Sequence, residues 1–116
     1  MTGGVAPRGN PDRVESRQAT KWRAYDLAEL ESAPADRFEC VHGGFDHSLI
    51  NADPNRVLPL DALVELQREG VFGELHPVFY STVGNMASME ASLEHGREIA
   101  RALCATDVDG VIFAAT

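Results

Sequence analysis

Asp109-Gly110-Val111-Ile112-Phe113-Ala114-Ala115-Thr116 reads as a turn followed by a continuous apolar run. Residues apolar on both faces suit a buried strand of a parallel sheet better than a half-solvated one. In open α/β sheets the chemistry lies just past the carboxyl ends of such strands. Working backwards, Asp107 to Gly110 turns the chain out of a helical pattern. In that pattern Met89, Leu93, Gly96, Ala100 and Leu103 recur at three- and four-residue spacing, with Ile99 widening the stripe. Glu90, Glu94, Arg97, Glu98 and Arg101 make the solvated face. Ser88 is placed to cap the helix, and Val83-Gly84-Asn85-Met86-Ala87 forms the loop before it. His76 to Thr82 reads as the preceding strand.

Strand about 76–82, helix about 88–105 and strand about 110–116 make a βαβ unit with a right-handed crossover, and hence an α/β fold with a parallel sheet. A further helix is expected from Pro59. Asp61 stands in its first turn, Leu60, Leu63, Val64 and Leu66 make its apolar face, Gly70 stops it, and Val71 packs back on it. Residues 59–116 thus form an α-β-α-β segment. Residues 1–58 read as loop-rich. Met1 to Asp12 is dominated by glycine and proline, with almost nothing to fill a core. Short strands are expected around Trp22, Tyr25 and Leu27 and around Phe38, Cys40 and Val41, with a helical turn over Leu27 to Leu30. His42 to Leu58 reads as a long irregular connection of the kind that carries function.

The bulk numbers narrow the function classes. The 116 residues allow one domain at most, and 44% apolar with 24% charged residues is ordinary for a globular chain. A formal net charge of −8, with Arg8, Arg13, Arg17, Lys21 and Arg23 interleaved with acids, argues against nucleic acid. No stretch is long and apolar enough for a bilayer, and Met1-Thr2-Gly3-Gly4 lacks the pattern of a signal peptide, so the cytoplasm is the expected compartment. Cys40 and Cys104 have no CxxC spacing and read as reduced structural side chains.

Three constellations carry chemical potential. The loop Thr82 to Ser88 precedes a helix N-terminus, whose free N–H groups suit a carboxylate or phosphate. It contains neither GxGxxG nor a Walker lysine, which argues against a nucleotide. His42, Asp46 and His47 could ligate zinc or iron, with His76 or His95 as a third donor, although the spacing matches no compact metal site. His42 or His47 could act as a general base oriented by Asp46. In Asp53-Pro54-Asn55-Arg56, Arg56 could clamp a carboxylate, but a rigid Asx turn with local pairing of Arg56 is the commoner outcome.

Four stretches taken together add a resemblance. Gly9-Asn10-Pro11-Asp12-Arg13-Val14-Glu15-Ser16, His42-Gly43-Gly44-Phe45-Asp46, Asn51 to Leu60 and Phe79-Tyr80-Ser81-Thr82-Val83-Gly84-Asn85 resemble the selenoprotein B subunit of the glycine/sarcosine/betaine reductases, and its relative in D-proline reductase. The resemblance covers essentially the whole chain. It implies an oxidoreductase with a disulfide as acceptor that cleaves the C–N bond of an amine substrate reductively, through a selenolate nucleophile. It implies a pyruvoyl group on a partner subunit, a small selenoprotein carrier and a thioredoxin-type reductant; the charge, apolar pattern and ligand spacing above add the expectation of no nucleic acid, membrane or metal. In the family the strand resembling Asp109 to Ala115 runs directly into Thr-selenocysteine, so the nucleophile is expected immediately after Thr116. The chain is then an internal fragment of a larger reductase domain, inactive alone and without a catalytic residue of its own. His42, Gly43, Gly44, Asp46, Asn55, Arg56, Thr82, Gly84 and Asn85 are expected to line the substrate pocket. The competing expectations are a small α/β module that binds an anionic metabolite at the Ser88 helix N-terminus, and a metal-dependent hydrolase built on His42, Asp46 and His47.

Overall fold

The computed structural model describes residues 2–114. Its five strands are β1 (Thr2–Gly3), β2 (Val5–Pro7), β3 (Arg23–Asp26), β4 (Phe38–Cys40) and β5 (Val78–Thr82), and its three helices are α1 (Ser48–Ala52), α2 (Leu60–Arg68) and α3 (Met89–Cys104), with a 3₁₀ turn at Pro54–Arg56. The α/β class expected from the sequence is the class observed. β5 lies at the centre of a three-stranded mixed sheet, parallel to β1 and antiparallel to β3, while β2 and β4 form a separate antiparallel pair.

β5 is central because Phe79, Tyr80 and Ser81 are all buried, as both faces of an interior strand must be. Phe79 anchors the main core, with its ring centroid 5.3 Å from that of Tyr25 and 5.8 Å from that of Phe38. Around it pack Val5, Leu27, Cys40, Ile50, Val57, Leu58 and Leu60. A smaller cluster of Ala6, Val14, Ala19 and Val83 lies beside it.

The strands around Tyr25 and Phe38, the turn at Leu27–Leu30 and the boundaries of both longer helices follow the sequence expectation. α3 starts at Ser88, whose Oγ accepts from the Ala91 N–H over 3.1 Å. α2 ends in a Schellman motif. Gly70 holds a φ of +74°, its N–H donates to the Gln67 carbonyl, and the Val71 N–H reaches the Leu66 carbonyl, both over 3.0 Å.

Several expectations are corrected. The βαβ unit as written is not formed over the described residues. The parallel neighbour of β5 is β1 from the N-terminal segment, which pairs with Ser81 and Thr82, and the other edge of β5 is taken by β3 along Val78 to Ser81. Gly110 to Phe113 carry no regular strand and Ala114 only an isolated bridge; Ala115 and Thr116 lie outside the described residues. Asp109 to Ile112 instead line a groove of about 910 Å³ that also includes Leu60, Leu63 and Phe79, and Phe113 is 70% exposed.

The N-terminal stretch is not loop throughout. β1 and β2 form in it, and Val5 and Ala6 are wholly buried, because pairing with β5 and β4 satisfies their backbone. The His42–Leu58 connection holds α1 and the 3₁₀ turn, elements too short to leave a hydrophobic period. Pro59 caps α2 rather than opening it, and Val71 is exposed.

α3 buries a different face from the one expected. His95 and Ile99 turn inward, with Ala91, Ala102 and Leu103 partly covered, whereas Met89 and Leu93 are 80% and 53% exposed. At 100° per residue the buried stripe is rotated by about a third of a turn from the Met89-Leu93-Gly96 stripe. The helix carries two apolar stripes, and period alone does not rank them.

Candidate functional site

The site is built where the chain leaves β1, β4 and β5, and Gly4 is its hub. The Gly4 N–H donates to the Thr82 carbonyl at the end of β5 over 2.9 Å, and its own carbonyl accepts from the Val41 N–H just past β4 over 2.8 Å. A Cβ here would lie 3.0 Å from Val83 Cγ2 and 3.1 Å from His42 Cβ, and φ is +74°. Only glycine allows both the turn from β1 into β2 and this approach of the two loops.

From that hub the two loops selected from sequence come together. A Cβ on Gly44 would stand 3.3 Å from Asn85 Cγ, which puts the His42–Gly44 loop against the Val83–Asn85 loop. A third segment clamps them. The Gly43 N–H donates to the Ser16 carbonyl over 2.8 Å, and the Gln18 N–H donates to the Asn85 carbonyl over 2.7 Å. Ser16 to Gln18 thus ties one loop to the other. Sequence reasoning missed this segment and Gly4. Ser16 ends one of the stretches that carry the resemblance, but nothing local places it, Arg17, Gln18 or Gly4 in the site, because their partners lie far away along the chain.

The imidazoles in this loop have defined proton positions. The Gly44 N–H donates to His42 Nδ1 over 3.0 Å, so Nδ1 is an acceptor and the proton sits on Nε2. Burial, with a smaller contribution from His47, holds His42 below the usual histidine range. Its ring lies 5.1 Å from that of Phe45, and Phe45 in turn meets the ring of His47 edge-on at 6.4 Å.

His47 is fixed the same way. Asn51 Oδ1 accepts from the Cys40 N–H over 2.7 Å, which orients the amide and makes its Nδ2 the donor to His47 Nδ1. Asp46 is exposed, and its Oδ1 accepts from the Ser48 N–H over 2.9 Å at the start of α1. That bond holds its carboxyl below the usual range. Asp46 therefore shapes the loop instead of orienting a histidine.

The remaining candidates fall elsewhere. Asn55 is a bracket. Its Oδ1 accepts from the Ala33 N–H over 2.8 Å, and its Nδ2 donates to the Ala33 carbonyl and to Asp53. Arg56 is exposed and faces Asp53 at 3.9 Å, the local pairing of an Asx turn. The structure thus joins His42, Gly43, Gly44, Thr82 and Asn85 on one edge, ties Asn55 to Ala33 and Asp53, and pairs Arg56 with Asp53. A Cβ on Gly84, within the loop, would meet nothing within 4 Å, and the Gly84 carbonyl accepts from the Ala87 N–H over 3.1 Å.

Among the described residues no three His, Cys, Asp or Glu side chains gather so as to hold a metal ion, and no helix is long and apolar enough to cross a membrane. At the α3 N-terminus Ser88 already satisfies one amide, and Glu90 in the first turn repels an anion. Cys40 is buried, and burial pushes its thiol up, away from the nucleophilic thiolate; Cys104 is exposed at the far end of α3.

Comparison with known proteins places this geometry in context. A family model described as glycine/sarcosine/betaine reductase selenoprotein B matches residues 1–116. Glycine reductase complex component B subunit gamma of Symbiobacterium thermophilum is 45% identical over 115 residues, 99% of this chain and 27% of that protein. Betaine reductase complex component B subunit beta of Peptoclostridium acidaminophilum is 42% identical, again over 99% of this chain and 26% of the relative. D-proline reductase subunit gamma of Acetoanaerobium sticklandii is 36% identical over 75 residues, 64% of this chain and 31% of that protein. The chain spans about a quarter of the length of the full-coverage relatives. No solved structure matches it.

Proposed function

Because the chain belongs to the glycine/sarcosine/betaine reductase selenoprotein B family, we propose that it forms part of a reductase domain whose subunit cleaves the C–N bond of glycine, sarcosine, betaine or D-proline, with the two electrons supplied by a dithiol that ends as a disulfide. The observation that carries this reading is the meeting of His42–Gly44, Ser16–Gln18 and Thr82–Asn85 at one sheet edge, in a chain whose relatives are named as components of such reductases.

The residues described here suit a pocket wall and not a nucleophile. Cys40 is buried with its thiol pushed up, and Cys104 stands at the opposite end of α3 from the Val83–Asn85 loop. The nucleophile of this reading is a selenocysteine beyond the described residues, which supplies a soft anion able to form a bond to the α-carbon as the C–N bond breaks and the amine leaves. What this chain contributes is an edge with the His42 imidazole as a neutral donor and backbone amides beside it, which orients the substrate. A pyruvoyl-bearing partner subunit, a small selenoprotein carrier and a thioredoxin-type reductant complete the cytoplasmic cycle. Alone, the chain is inactive.

The test is the assembled complex with a full-length, selenocysteine-containing subunit. Ammonia, methylamine or trimethylamine release from glycine, sarcosine or betaine, or ring opening of D-proline, is expected. It should disappear when the selenocysteine is replaced by serine. Failure to cleave any of the four, or cleavage that survives the serine replacement, overturns the reading.

A further inference from the structure

Glycine, sarcosine, betaine and D-proline differ at nitrogen, which runs from primary to quaternary, and share an α-carboxylate. A site that serves this group has one constant feature to recognise. Arg17 lies between the two clamps of the site: its neighbour Ser16 accepts from Gly43, and its other neighbour Gln18 donates to Asn85. Its backbone is therefore pinned on both sides at the edge where the two loops meet. Its guanidinium makes no ion pair with any of the described residues, in a chain with 18 acidic and 10 basic residues. His42 stands next to Gly43, the residue that donates to Ser16, and its Nδ1 is occupied by the Gly44 N–H, leaving Nε2–H as a fixed neutral donor. A guanidinium and a neutral N–H donor carried by segments that are bonded to each other can make a carboxylate-recognising pair: charge and two-point geometry from arginine, direction from the imidazole.

We propose that Arg17 and His42 form the subsite that binds the substrate carboxylate, leaving the nitrogen to face the reacting centre. The inference rests on the reductase reading and deepens it. Arg17→Met should raise KM for the carboxylate substrate at least 10-fold with little change in kcat. Arg17→Lys should restore part of that loss. His42→Leu should raise KM, and His42→Gln, whose Nε2 also donates, should recover most of it. The corresponding amides, such as glycinamide, should be indifferent to all four changes.

An equilibrium arm needs no turnover. Titrating the full-length subunit with acetate should shift the ring ¹⁵N signals of His42 saturably, acetamide should not, and Arg17→Met should abolish the acetate response. A normal thermal midpoint for each variant shows that it is folded. Acetate-selective shifts in a complex that cleaves none of the four compounds would leave the subsite standing and remove the reductase reading. Cleavage whose KM ignores Arg17→Met and His42→Leu, or an equal response to acetate and acetamide, overturns the subsite.

Discussion

Asn51 donates its side-chain amide to His47 Nδ1 over 2.9 Å while the same amide's oxygen holds the Cys40 N–H over 2.7 Å. One side chain thus joins a buried strand to a surface loop and sets the tautomer of the imidazole between them. Asn51→Leu leaves the Cys40 N–H without its partner, and a loss of about 1–3 kcal/mol is expected in urea unfolding. Ring ¹⁵N spectra should show His47 as a single Nε2–H tautomer in the parent, with a tautomer mixture in the variant.

Asn55 separates a structural role from a substrate role. Its amide brackets Ala33 at both backbone groups. Asn55→Ala should cost about 1–3 kcal/mol in the denaturant midpoint and leave KM of the assembled reductase unchanged. A rise in KM without loss of stability would return it to the pocket.

The α3 helix offers a pair of opposite signs. Ser88→Ala removes the cap to the Ala91 N–H and should destabilise by about 1 kcal/mol. Gly96→Ala adds a methyl where nothing lies within 4 Å, and should stabilise by about 0.5–1 kcal/mol. Both are read from thermal or urea midpoints.

Gly4→Ala combines a φ of +74° with a 3.0 Å approach to Val83. The left-handed backbone alone costs about 1–2 kcal/mol, and the clash adds to it. Gly9, with φ of +80° and open space around it, should show the smaller loss when changed to alanine. Urea midpoints of the two variants check the order.

Stability should fall at both ends of the pH scale. The folded state holds His42 below its ordinary value of 6.5, so between that value and the lower folded one the unfolded chain binds more protons. Stability from this group is complete above the unfolded value and is lost as pH falls through that window. Tyr25 is pushed up to about 12, first by burial and then by Asp12. Its contribution is complete below pH 10.0 and is lost as pH rises towards the folded value. His42→Gln should flatten the acid slope of a midpoint-versus-pH series, and Tyr25→Phe the alkaline one.

Much of the local structure was legible because its causes are local. Ser88 caps α3, Gly70 stops α2, and the Tyr25 and Phe38 strands stand where β-forming residues cluster. The Asx turn at Asp53 could be read for the same reason. The misreadings share a different origin. Val5 and Ala6 are buried only because β5 and β4 pair with their segment. α3 carries two apolar stripes, and the surface it meets picks His95 and Ile99 over Met89 and Leu93.

What the sequence determined by itself was the α/β class, the helix ends and the loops His42–Gly44 and Thr82–Asn85 as one neighbourhood's raw material, because capping, turn chemistry and apolar period act within a few residues. Only the tertiary structure decided that β1 lies parallel to β5, that Ser16–Gln18 clamps those loops together and that Arg17 stands between the clamps. Those contacts join residues far apart in the chain, where no local preference reaches and only shared burial and satisfied backbone hydrogen bonds choose the partner.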